Sequence, residues 1–240
     1  MVINAMDTHY AELNKTIREC KENDIVLHNV LGQRYIGCGL NDKIIEVHGT
    51  SGNALGAYMN GGSVEIFGNA QDATGDTMNN GKIIIHGSCG DTTGYGMRGG
   101  AIFIKGNAGY RIGIHMKEYK EMKPVIVVGG RTGDFLGEYQ AGGVIIVLGI
   151  DSESQTPVGN YCGTGMHGGT IYLRSEKIPS DLPVQVNVST ITEEDKEIIR
   201  SFTTEFCSYF GHDADRVLNH GFIKLKANTK NPYKQLYTHN

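Results

Sequence analysis

Residues 87–109 read GSCGDTTGYGMRGGAIFIKGNAG, and this run decides the fold. It holds one full unit of a glycine pattern, G-x-x-G-x-x-x-G, at Gly87-Gly90-Gly94, and opens the next at Gly106-Gly109. The pattern recurs at Gly49-Gly52-Gly56, Gly106-Gly109-Gly113 and Gly130-Gly133-Gly137, and Gly68-Gln71-Gly75 keeps its frame. The last glycine of each set belongs to a column at Gly37, Gly56, Gly75, Gly94 and Gly113, a step of 19, followed by Gly137 and Gly163. Self-similarity at a fixed period of this length signals a stacked repeat architecture. A glycine column without exception implies positive-φ corners, or backbones packed too closely for a Cβ.

Between the glycines lie short aliphatic runs: IIEVH (44–48), SVEIF (63–67), KIIIH (82–86), AIFIK (101–105), VIVVG (125–129), VIIVL (144–148) and TIYLR (170–174). Two of their columns are purely aliphatic, Ile45-Val64-Ile83-Ile102-Ile126-Ile145-Ile171 and Val47-Ile66-Ile85-Ile104-Val128-Val147-Leu173. Strand side chains alternate between faces, so these columns share one face and point inward. A third inward column is Leu40, Met59, Met78, Met97, Met116, Gln140 and Met166, which takes five of the eight methionines. Its neighbours are aliphatic and offer no further ligands, so it reads as a thioether core ladder rather than a soft-metal site. The outward column between the two aliphatic ones is Glu46, Glu65, Ile84, Phe103, Val127, Ile146 and Tyr172. It is wet at first and then apolar. A continuous outward apolar strip needs a cover, from this chain's own helices or from a partner.

The expected fold is all-β: a right-handed parallel β-helix, a solenoid of about seven turns, with terminal helices. A left-handed hexapeptide helix would show a period near 18 and an apolar residue at every sixth position, and that signature is missing. The expected organisation is a helical cap over 1–24, the β-helix over 25–178, and a helix with an extended tail over 179–240. The first helix runs from Asp7, read as its cap, to Glu22. The second is capped by Thr192 and stopped by Gly211. Phe222 to Leu225 reads as a last strand. Five residues are inserted within 114–122 and seven within 150–158, breaking the step of 19. Such loops often carry contacts.

The chain has 240 residues, 34 glycines, 5 prolines and a net charge of −4. That charge argues against a nucleic-acid or anionic-membrane surface. No apolar run is long enough to span a bilayer, and the N-terminus has no secretory pattern. The five cysteines lack any C-x-x-C pair. They read as reduced thiols, and a cytoplasmic location is expected.

The stretches GNALGAYMN (52–60), GSCGDTTGYGMRGGAIFIKGNAG (87–109), AGGVIIVLG (141–149) and NYCGTGMHGGTIYL (160–173) resemble the C-terminal GXGXG domain of the glutamate synthase large subunit. The resemblance covers roughly residues 25–210. A more distant likeness is to the C component of formylmethanofuran dehydrogenase. The resemblance implies a right-handed β-helix without catalytic residues that holds glutaminase and flavin domains in position. Position 2 is Val rather than the family's catalytic cysteine, and neither a barrel nor an iron–sulfur cysteine cluster is present. The domain is therefore read as a free-standing, non-catalytic scaffold subunit of a glutamate synthase-type complex. No catalytic, cofactor-binding or metal residue is assigned in this chain, and FMN and iron–sulfur centres are expected on its partners. Those partners are glutaminase and synthase subunits, with self-association also open, and neither nucleic acid nor membrane. Interface candidates are Phe103, Val127 and Tyr172 of the strip and Lys117, Glu118 and Glu153 of the insertions.

Two alternatives stand beside this reading. One is a component of the same kind in a formylmethanofuran dehydrogenase-type complex. The other is a stand-alone β-helix enzyme acting on carbohydrate, whose carboxylates would come from the row Asn53, Asp72, Asp91, Tyr110, Asp134 and Asn160. Asn and Asp are also common turn residues that satisfy corner amides. His48, His86, His115 and His167 read as lying in different columns and make no shared metal site.

Overall fold

The computed structural model describes residues 1–150, 152 and 155–228. In chain order the elements are β1 (Val2–Asn4), α1 (Tyr10–Glu19), β2 (Asp24–Leu31), β3 (Ile44–Thr50), β4 (Asn60–Phe67), β5 (Asn80–Ile85), β6 (Ala101–Ile104), β7 (Val125–Val128), β8 (Ala141–Val147) and β9 (Gly168–Arg174). After them come β10 (Val186–Ser189), α2 (Glu193–Phe210), α3 (Ala214–Leu218) and β11 (Phe222–Ala227).

The expectation of a seven-turn right-handed β-helix is corrected here. The strands form one open, mixed sheet of eleven strands among the described residues, ordered β1 to β9 and then β11 and β10. Neighbours from β1 to β9 are parallel, whereas β11 pairs antiparallel with both β9 and β10. Regular pairing is confined to this one sheet for a local reason. Each return segment carries alternating positive-φ residues, such as Ala54 (60°), Gly56 (63°) and Tyr58 (57°), or Thr92 (55°), Gly94 (73°) and Gly96 (57°). Extended strands cannot pass through that conformation. The returns are joined repeat to repeat by isolated bridges, Ser51–Ala70–Cys89–Ala108–Thr132, and by separate backbone hydrogen bonds such as the Gly75 N–H to the Leu55 carbonyl at 2.7 Å, not by a continuous strand ladder.

The sequence columns are the register of the sheet. Ile45 pairs with Val64, Val64 with Ile83, Ile83 with Ile102, Ile102 with Ile126, Ile126 with Ile145, and Ile145 with Ile171. Both aliphatic columns are buried in one core together with Met59, Met78, Met97, Met116 and Met166. This core fills the space between the sheet and the return segments. The glycine column lines its far wall. At Gly56, Gly75, Gly94 and Gly113 a Cβ would come 2.4–2.6 Å from the Cδ1 of Ile83, Ile102, Ile126 and Ile145. At Gly137 and Gly163 it would lie 2.7 and 2.8 Å from Ile171 Cδ1 and Val186 Cγ2, and at Gly37 a looser 3.1 Å from Val64 Cγ2.

Gln140 interrupts the methionine ladder. It is fully buried, its Nε2 donates to the carbonyls of Gly142 and Gly143 at 3.1 Å, and its Oε1 has no partner. An unmet buried carbonyl costs about 1–3 kcal/mol. Gln140→Met is therefore expected to raise the unfolding free energy by about 1 kcal/mol, measured by urea titration. A loss of stability would show that the two amide hydrogen bonds outweigh the orphaned oxygen.

Helix α1 closes one end of the core with Leu13 and Ile17. It begins at Tyr10, not Asp7, whose φ is 57°, and its first turn is capped by His9 Nδ1 accepting from the Ala11 N–H. Helix α2 has a full capping box between Thr192 and Asp195 and ends at Gly211 in the left-handed region. It lies across the other face of the sheet.

Candidate functional site

The row of carboxylates read as a candidate for carbohydrate chemistry is a hydrogen-bond ladder along the edge of the returns. Asp72 Oδ1 accepts the Asp91 N–H at 2.9 Å, Asp91 Oδ1 accepts the Tyr110 N–H at 2.8 Å, and Asp134 Oδ1 accepts the Asn160 N–H at 2.7 Å. A parallel ladder runs from Asn69 to Ser88, Asn107 and Arg131. The glycines beside these side chains make room for them: a Cβ on Gly90 or Gly109 would meet Asp72 or Asp91 Oδ1 at 2.1 Å. Each carboxylate thus serves the backbone of the next repeat. Asp91→Asn keeps the accepting oxygen and is expected to leave the melting temperature within about 2 °C, whereas Asp91→Ala should cost about 1 kcal/mol. Equal melting of the Ala variant and wild type would remove the ladder from the stability account.

The outward strip is covered by this chain's own helices. Phe103 and Val127 are fully buried and Tyr172 is 1% exposed. They pack with Ile84 and Ile146 against Ile199, Phe206 and Phe210 of α2 and Val217 of α3. Phe206 passes so close to the sheet that a Cβ on Gly129 would sit 2.5 Å from its ring. As interface candidates, Phe103, Val127 and Tyr172 are therefore placed beneath α2 rather than on an open surface.

The N-terminal end of α2 is held by a buried polar cluster. Tyr172 Oη donates to Asp195 Oδ1 at 2.6 Å, and Lys224 Nζ to Asp195 Oδ2 at 2.5 Å. The N–H and hydroxyl of Thr192 donate to the same carboxylate at 2.7 and 2.8 Å. Burial by itself would raise the Asp195 pKa, but the bonds from Lys224, Tyr172 and Thr192 outweigh it and hold the carboxyl well below its ordinary value. Burial, followed by the Asp195 contact, pushes the Tyr172 phenol up. An acid whose pKa is depressed on folding stabilises the fold above its unfolded pKa, about 3.9, and loses that contribution as pH falls toward the folded value. Asp195→Asn is therefore expected to be less stable than wild type at pH 7, with the gap narrowing at about pH 3. A gap independent of pH, measured by urea unfolding, would contradict this linkage.

Where α2 ends, the outward column turns polar. Glu46 and Glu65 stay half-buried, and their carboxylates meet His48 Nε2 at 2.5 Å and His86 Nε2 at 2.8 Å. His28, His48, Phe67 and His86 stack in succession with ring centroids 4.8, 5.2 and 4.4 Å apart, and the Phe210 ring meets His86 edge-on. His48 and His86 thus share one column, contrary to the sequence reading. Both directly precede the first glycine of their sets, which is the signal that could have placed them together. Among the described residues no group of three or more His, Cys, Asp or Glu side chains could hold a metal ion.

The first insertion forms a small hairpin closed by a Tyr119–Met122 bridge. Lys117 is exposed on it. The Glu118 carboxylate accepts the Gly143 N–H at 2.9 Å and so ties the hairpin to the sheet. Glu153 lies outside the described residues. All five cysteines are free thiols. Burial raises Cys89 and Cys162 to about 12, a range in which a thiol stays protonated at neutral pH. Among the described residues no helix is long and apolar enough to cross a membrane.

Several known proteins are similar to this chain. A protein of Methanocaldococcus jannaschii named as the uncharacterized protein MJ1350 is 48% identical over 251 residues, covering 99% of this chain and 96% of that protein. Among solved structures, a chain of the formyltransferase/hydrolase complex (FhcABCD) from Methylorubrum extorquens, crystallised with methylofuran, superposes with a TM-score of 0.65. That match covers 93% of this chain and 89% of the other at 19% identity, so it is a likeness of fold. The family model described as the GXGXG motif matches residues 5–229, the span of the glycine repeat and both flanking helical regions. This chain belongs to the GXGXG motif family.

Proposed function

We propose that this chain is a structural subunit of a multi-chain enzyme, in which it sets the separation and orientation of active sites carried by other chains. The observation that carries the reading is the edge ladder. The acidic side chains best placed for chemistry, Asp72, Asp91 and Asp134, are engaged by backbone N–H groups of neighbouring repeats. The likeness in fold, nearly end to end, to one chain of a multi-chain complex supports the same reading. A core filled with stacked Ile, Val and Met side chains makes a stiff spacer rather than a conduit.

At the finer level, the complex is of the glutamate synthase type. Partner chains would supply the glutaminase and the FMN and iron–sulfur synthase, and this chain would limit the loss of a reactive intermediate between them. The glycine pattern of residues 87–109 supports this version. A second version, a formylmethanofuran dehydrogenase-type complex, is favoured by the match to the formyltransferase/hydrolase chain. Tagging the native protein and identifying co-purifying chains by mass spectrometry separates the two. Glutaminase and flavin or iron–sulfur chains are expected. Formyl-transferring chains would shift the assignment to the second version, and stoichiometric recovery of this chain alone would overturn both.

A further inference from the structure

A cleft of about 320 Å³ opens between α2, α3 and β11, away from the edge ladder and the insertions. Ile191, Ile199, Leu218 and Phe222 give it apolar walls, and its polar lining is Lys196, Arg200 and His220. Among the described residues no acidic side chain lines it. The three basic groups are not equivalent. Lys196 already pairs with Glu193 at 2.7 Å. Arg200 is exposed and has no hydrogen-bond or ion-pair partner among the described residues. His220 has a buried Nδ1 without a hydrogen-bond partner. The Asp195 carboxylate, one residue before Lys196, is occupied by Lys224, Tyr172 and Thr192 and does not neutralise the cleft.

We infer that this cleft binds a small amphipathic carboxylate, with its apolar body between Ile199, Leu218 and Phe222 and its charge on Arg200. Clefts of this size with apolar walls and a few convergent polar groups are typical of small-molecule sites. A guanidinium matches a carboxylate in a bidentate, charge-assisted geometry. One unpaired cation suits a single negative charge, which favours a carboxylate over a doubly charged phosphate.

The test is calorimetric titration of the full-length protein with 3-phenylpropionate, its neutral amide 3-phenylpropanamide, and phenyl phosphate. Saturable binding of the carboxylate is expected, with the amide at least about tenfold weaker, the factor that one charge-assisted hydrogen bond supplies. Arg200→Gln should weaken the carboxylate by a similar factor. Lys196→Gln should change it less, because that ammonium is already paired. Both side chains are exposed, so both variants are expected to melt like wild type, which circular dichroism checks. Absence of saturation, equal binding of acid and amide, or unchanged binding to Arg200→Gln would overturn the site. Phenyl phosphate binding about tenfold tighter than the acid would overturn the carboxylate assignment.

Discussion

Met97→Asp is expected to leave the chain unfolded, or to lower its stability by more than about 4 kcal/mol. Met97 is fully buried in the core between the sheet and the returns, with Met78 and Met116 in the flanking repeats. A carboxylate there would stand in a core of aliphatic and thioether side chains, so it must either ionise without a charged partner or bind a proton at a raised pKa. Whole domains are stable by only about 5–15 kcal/mol, so one such group consumes much of the margin. Met97→Leu is the control and should cost less than about 1.5 kcal/mol, because volume and polarity are nearly kept. Circular dichroism melting of both variants decides the matter. An aspartate variant that melts with wild type would mean that the methionine ladder is not a packed interior.

Gly94→Val is the second large effect, with an expected loss of about 3–5 kcal/mol from two separable sources. The first is conformational. Gly94 has a φ of 73°, where a β-branched residue is a genuine outlier. The second is steric, since a Cβ would lie 2.4 Å from Ile126 Cδ1. That atom is the end of a side chain, yet Ile126 stands in a ladder between Ile102 and Ile145 and has little room to turn. A double-mutant cycle separates the terms. Ile126→Val alone should cost about 0.5–1.5 kcal/mol. Combined with Gly94→Ala it should cost less, because it clears the space the new methyl needs. Strict additivity of the two substitutions would leave only the backbone term and remove the clash from the account.

The inward columns, the glycine corners and the Thr192 and Gly211 ends of α2 were legible because they follow from short-range rules repeated along the chain. A side chain in a strand faces its neighbours at fixed offsets, and positive-φ corners select glycine wherever they face a packed core. Repetition turned each weak local signal into a column. The same logic overreached at the closed β-helix. The period counts residues per repeat and does not say how many of them pair. Positive-φ residues such as Ala54 and Tyr58 hold the returns out of regular strand geometry, so a single sheet forms. The short strands β1 and β10 and the five-residue α3 lie outside the repeat and left no periodic signature.

By itself, then, the sequence determined the register of this protein: which residues stack, which face the core, and where the glycine column runs. The tertiary structure alone decided what its outer face became. Whether Phe103, Val127 and Tyr172 met a partner or the protein itself depended on α2, which follows Phe103 by about ninety residues. The Asp195–Lys224 pair and the meeting of Arg200 and His220 at one cleft likewise arise between segments with no shared period. Contacts of that kind are set by how the helix settles on the finished sheet, and no local spacing rule encodes that step.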